Sequence, residues 1–145
     1  MDKFHGISYR IPTITVSVID LVAKLERAAP VDEINAAFAN ASNKSLAGLL
    51  GYTDLPSVSS DFRGDSRSSI VDGLMTTILS EENMVHLVSW YDNEWGYASR
   101  IADLANFISE CEHSGQRLKR VRVVEREYIE QALRVVSFAP EELPL

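Results

Sequence analysis

Between residues 84 and 108 the apolar repeat changes from the period of a strand to that of a helix, and this switch constrains the fold more than any other stretch. M-V-H-L-V-S-W-Y, residues 84–91, is an apolar, β-prone run of strand length. From Glu94 onward, Tyr97, Ile101, Leu104, Ala105 and Ile108 recur at helical spacing and define one helix face. A strand therefore hands over to a helix across D-N-E, residues 92–94.

The remaining segments predict what surrounds that junction. Residues 6–27 read as β. I-S-Y-R-I is short and mixed; beyond Pro12, V-S-V-I-D-L-V-A-K-L-E alternates. Ile19, Leu21, Ala23 and Leu25 share one face, while Asp20, Lys24 and Glu26 share the other with Val16, Val18 and Val22. Pro30 opens a helix whose first turn holds Asp32 and Glu33, where acids suit the positive end of the dipole. Ile34, Ala37, Phe38 and Ala41 predict its buried stripe, and Asn43 its stop. L-A-G-L-L-G-Y-T-D predicts a turn into a short strand, V-S-S-D-F a further strand, and R-G-D-S-R a polar loop. S-S-I-V-D-G and L-M-T-T-I-L read as extended, and S-E-E-N as a hairpin turn. Two strands, a helix, several strands on short turns and a helix argue α+β: a mostly antiparallel sheet with helices on one face. Repeated β-α alternation and G-x-G-x-x-G are both absent from the sequence. After Gly115 the character changes. R-L-K-R-V-R-V-V is basic, and Tyr128, Ile129, Ala132, Leu133 and Val136 follow at helical spacing.

Composition narrows the function classes. A chain of 145 residues buries enough surface to fold without metal or disulfide. A net charge of −7 argues against nucleic acid as the main partner, because phosphate binding needs a basic footprint. A single cysteine permits no internal disulfide and no zinc spacing. M-D-K-F-H-G has no signal-peptide core, and no run approaches the ~18 apolar residues of a membrane span, so a cytoplasmic location without membrane contact is expected.

Few side chains invite chemistry. Cys111 sits on the apolar stripe of the last helix, where a buried thiol is inert. His86 lies inside a strand and reads as structural; His5 and His113 lie near segment ends and are expected to face solvent. G-D-S-R-S-S is not G-x-S-x-G, and Arg63, Asp65 and Arg67 read as a surface or interface charge network. Arg10 is placed in a strand among apolar neighbours, where a guanidinium must pair with a carboxylate of the chain or a phosphate of a ligand. Asn93 has two readings: an N-cap, or a carboxamide that donates to and accepts from another amide. Tyr97 lies one turn later, where its ring could stack on a flat ligand.

G-I-S-Y-R-I-P-T-I-T-V-S-V-I-D-L, L-L-G-Y-T-D, D-F-R-G-D-S-R-S-S-I-V-D and S-W-Y-D-N-E-W-G-Y-A-S-R follow one another in order. Together they resemble the second half of the catalytic domain of phosphorylating glyceraldehyde-3-phosphate dehydrogenase, with erythrose-4-phosphate dehydrogenase a close relative. The resemblance implies a NAD-dependent enzyme. In it a cysteine thiolate attacks the aldehyde, a histidine assists, hydride passes to NAD, and inorganic phosphate resolves the thioester. It implies that Arg10 contacts the substrate's phosphate, that Asn93 binds the nicotinamide carboxamide, and that Tyr97 lies beside that ring. The sequence departs from the family in having no S-C-T-T-N segment and Thr15 where asparagine is frequent; Cys111 does not align with the nucleophile.

The expectations are an incomplete C-terminal catalytic domain over residues 1–115 and an extension over 116–145. The chain should be inactive alone, with no catalytic residue and no metal site of its own. Its expected partners are further copies of itself or a chain supplying the missing half, with a sugar phosphate as substrate of the complete enzyme. The alternative is a non-catalytic interaction module derived from the family. A partial domain should also expose apolar surface, with Tyr128, Ile129, Leu133 and Val136 as candidates to cover it.

Overall fold

The computed structural model describes residues 5–79 and 83–113. Strand β1 (Ser17–Lys24) leads to helix α1 (Val31–Asn43), then strand β2 (Leu50–Thr53), a short 3-10 helix (Ser59–Phe62), strands β3 (Ser69–Asp72), β4 (Thr77–Leu79) and β5 (Met84–Tyr91), and helix α2 (Asn93–His113). The sheet runs β1-β5-β3-β2, with β4 also on β5. Every pairing to β5 is antiparallel, and β2–β3 is parallel. The α+β class expected from the element order is the class observed, with a partial domain's complement of strands.

β5 is the centre because it is apolar on both faces. Its odd positions Val85 and Leu87 pack with Ala23 of β1 and Ile34 of α1, flanked by Leu21, Leu25, Ala29 and Phe38. The odd face of β1 predicted from alternation is thus the face that meets α1. Of the α1 stripe, Ile34 is buried and Phe38 packs half-buried beside it. The other core joins Val16, Phe62 and Ile70 to Trp90, whose ring stacks on Phe62 at 5.7 Å between centroids.

Three expectations fail locally. Residues 5–16 form no strand, and Ile7, Tyr9, Ile11 and Ile14 stand exposed. β1 starts only after Val16, a buried β-branched residue held at φ 71°. That left-handed turn breaks the alternation the sequence carries through it. V-S-S-D-F is 3-10 helix, not strand: the Asp61 carboxylate accepts the Val58 N–H at 2.8 Å, closing a turn that drops Phe62 onto Trp90. The apolar stripe of α2 forms as a stripe, but Tyr97, Ile101, Leu104 and Ile108 are exposed. Residues 80–82 of the expected hairpin turn and the segment 114–145 lie outside the described residues.

Candidate functional site at the start of α2

The strand-to-helix junction is built on Asp92. It is buried, and it precedes α2 as its N-cap. Its Oδ1 accepts the Trp95 N–H at 3.0 Å, and its backbone carbonyl accepts Gly96 N–H at 2.8 Å. Its Oδ2 accepts the Gly64 N–H at 2.9 Å, tying the loop before β3 to the helix start. Thr15 donates its hydroxyl to Asp92 Oδ1 at 3.1 Å or to Glu94 Oε2 at 2.9 Å. Burial pushes the Asp92 carboxyl up, but the N–H groups of Gly64, Trp95 and Glu94 and the Thr15 hydroxyl outweigh it and hold it below the usual aspartate value. Asp92 therefore takes the capping role that sequence alone left open for Asn93.

Asn93 is left at the first helical position with its side chain exposed. Its Oδ1 accepts one long bond, from the Ser17 hydroxyl at 3.4 Å. Tyr97, one turn on, is 70% exposed. An amide and a phenol ring thus both stand exposed at one end of α2. Gly96 lies between them because the helix passes close to the loop before β3: a Cβ there would sit 3.2 Å from the Arg67 carbonyl oxygen. Arg100 continues this contact, donating to the Ser68 hydroxyl at 3.1 Å.

The two tryptophans of the motif divide. Trp90 is core, with its Nε1–H donated to buried Asp72 at 3.0 Å. Trp95 is exposed and lines an open cleft of about 700 Å³ with Ile14, Thr15, Ser60, Arg63, Asp92 and Glu94. None of Arg10, Asn93 and Tyr97 lines that cleft. Spacing did not single out Thr15 and Trp95 as cleft residues; the place of Trp95 beside the D-N-E junction was a signal, whereas Thr15, 77 residues from Asp92, carried none.

Arg10 is not in a strand and not buried. It is exposed on the extended segment ahead of β1, and among the described residues it makes no hydrogen bond or ion pair. Burial had been inferred from its apolar neighbours, but those side chains are exposed as well. Its guanidinium is exposed, and among the described residues it shares no hydrogen bond with Asn93 or Tyr97. Of the R-G-D-S-R charges, Asp65 and Arg67 pair, with Arg67 Nε donating to Asp65 Oδ1 at 2.9 Å. That guanidinium holds the Asp65 carboxyl below its usual range. Arg63 stands outside the pair, in the cleft wall. Cys111 is buried as expected, although the rest of its stripe is exposed. His86 is structurally partnered: Nε2 meets Asp20 Oδ1 at 2.6 Å, and Nδ1 lies 3.5 Å from the Thr77 hydroxyl. Among the described residues no cluster of metal-ligating side chains occurs, and no helix is long and apolar enough to cross a membrane.

Comparison with known proteins identifies the family of most of the chain. The family model described as glyceraldehyde 3-phosphate dehydrogenase, C-terminal domain, matches residues 1–93. The cytosolic glyceraldehyde-3-phosphate dehydrogenase of Sinapis alba is 52% identical over 109 residues, which is 75% of this chain and 32% of that relative. Glyceraldehyde-3-phosphate dehydrogenase 2 of Synechocystis sp. is 47% identical over 108 residues, 74% of this chain and 32% of the relative. The Phytophthora infestans enzyme is 54% identical over 102 residues, 70% of this chain and 30% of the relative. The chain spans about a third of the length of the curated relatives it matches.

Proposed function

We propose, from a chain that belongs to the family of the glyceraldehyde 3-phosphate dehydrogenase C-terminal domain, that it is the C-terminal catalytic-domain portion of a NAD-dependent enzyme. That enzyme converts an aldehyde sugar phosphate to an acyl phosphate. Residues 1–115 are the partial catalytic domain and 116–145 an extension. The observation that carries the reading is the junction at α2, where Asn93 and Tyr97 stand exposed one turn apart on a helix start that Asp92 fixes.

Those two residues fit the nicotinamide end of the cofactor: the Asn93 carboxamide offers a donor and an acceptor to an amide, and Tyr97 a ring face. When bound, NAD supplies the hydride acceptor. Arg10 offers a fork of donors to the substrate's phosphate. Cys111 is buried on the far part of α2 and serves no nucleophilic role. The chain acts with further copies of itself or with a chain that supplies the other elements, in the cytoplasm, where several of the relatives are named as residing. Alone it is inactive.

Mixing tests this. The chain is combined with a separately made chain covering the first two thirds of the Sinapis alba relative, and aldehyde-dependent NADH formation is followed. Activity is expected in the mixture and in neither part. Asn93→Ala should raise KM for NAD about tenfold, and Arg10→Ala should raise KM for the sugar phosphate about as much. An inactive but assembled mixture, or variants indistinguishable from the parent, overturns the catalytic reading. The exposed apolar stripe of α2 favours a second reading, a non-catalytic module that binds full-length subunits. It is supported if the inactive mixture nonetheless shifts the mass distribution of an intact relative.

A further inference from the structure

We propose that Ser17 is a positioning residue for Asn93: its hydroxyl keeps Asn93 Oδ1 turned back to β1, so that the Nδ2 N–H pair is the end presented to a ligand. This deepens the cofactor reading above and rests on it.

The backbone sets the contact from both sides. Ser17 stands opposite Tyr91 in the β1–β5 ladder, and Asn93 follows two residues later at the first position of α2. The Ser17 hydroxyl donates to Asn93 Oδ1 at 3.4 Å. Two residues earlier in the chain, Thr15 donates to the same helix start, at Asp92 or Glu94. Between the two hydroxyls lies Val16, held at φ 71° and buried with Phe62 and Ile70. A β-branched residue in the left-handed region is strained, and it persists there only where its surroundings hold it. Burial of the Val16 side chain does so here, and the hydroxyls on either side of it both meet the first turn of α2. Their duties differ. Thr15 adds to a carboxylate, Asp92, that already accepts from Gly64 and Trp95. Ser17 reaches a side chain that has no other hydrogen bond among the described residues.

Direction matters because a carboxamide has two unlike ends. Oδ1 only accepts and Nδ2 only donates. A ligand carboxamide offers a carbonyl acceptor and an NH2 donor, so an unheld Asn93 pairs with it either way round. With Ser17 on Oδ1, Nδ2 is left whole, and it donates to the ligand's carbonyl.

Two measurements test this. In the whole chain, the Asn93 side-chain amide is identified in nitrogen-15 NMR spectra by its loss in Asn93→Ala, and its order parameter is compared between variants. It should fall in Ser17→Ala and return in Ser17→Thr, which keeps the hydroxyl, with the urea midpoint unmoved in both. In the mixture described above, fluorescence titration reads Kd for NAD and for its 3-acetylpyridine analogue. The analogue keeps the carbonyl and has a methyl in place of the NH2. The parent should bind the two within about threefold of each other, because Asn93 reads the carbonyl they share. Ser17→Ala should weaken the analogue about threefold and NAD less, since a released Oδ1 can accept from the NH2 that only NAD has. Ser17→Thr should restore both. An Asn93 amide equally mobile with and without the hydroxyl, or a parent that disfavours the analogue more than tenfold, overturns the role of Ser17 alone. Asn93→Ala with the parent's Kd for NAD overturns the cofactor reading on which that role rests, whatever the spectra show.

Discussion

Replacing Asp92 by alanine removes an N-cap and a cross-link at once. The lost cap bond to Trp95 costs about 1 kcal/mol. The Gly64 N–H, which reaches the same carboxylate from the loop before β3, then loses its acceptor in a part-buried site, costing roughly 1–3 kcal/mol more. Asp92→Ala should therefore destabilise by about 2–4 kcal/mol. Asp92→Ser keeps an acceptor for the helix but is too short for Gly64, and should lose about half of that. Urea unfolding near neutral pH measures both. Acid supplies a further check. The folded-state pKa of Asp92 lies below its unfolded value, so its stabilisation is complete above the ordinary aspartate pKa of ~3.9 and is lost as pH falls through the lower folded value. The gap between parent and Asp92→Ala should narrow over that window. A cost under about 1 kcal/mol, or a gap that stays constant on acidification, would refute the assignment of Asp92 as the tie between loop and helix.

Two other substitutions probe the packing behind the junction. Phe62→Ala should cost about 3–5 kcal/mol in urea unfolding, and a double-mutant cycle with Trp90→Leu should return about 0.5–1.5 kcal/mol of coupling from their stacking. Val16→Gly should come out within about 1 kcal/mol of the parent, because relief of roughly 1–3 kcal/mol of left-handed strain offsets a similar loss of apolar burial; a cost above about 3 kcal/mol would show that φ at Val16 is unstrained.

Local pattern determined a good deal of this protein. The run 84–91 is apolar on both faces, and it became the central strand. Pro30 with Asp32 and Glu33 opened α1 where expected, and the odd face of β1 found α1 because alternation admits only one buried side. The spacing of Asn93 and Tyr97, one turn apart at the start of α2, was legible too, because it follows from the helix alone. What tertiary structure decided was which groups are consumed and which are left open. Asp92, not Asn93, caps α2, because a backbone N–H from the loop at Gly64 needs the same carboxylate. Ser59–Phe62 coils, because Trp90 offers Phe62 a ring to stack on and Asp61 can close the turn. Arg10 and the stripe of α2 face outward, though their spacing read as buried, because no described element lies across them. Periodicity specifies which side chains share a face; whether that face is covered depends on partners distant in the chain or on another molecule.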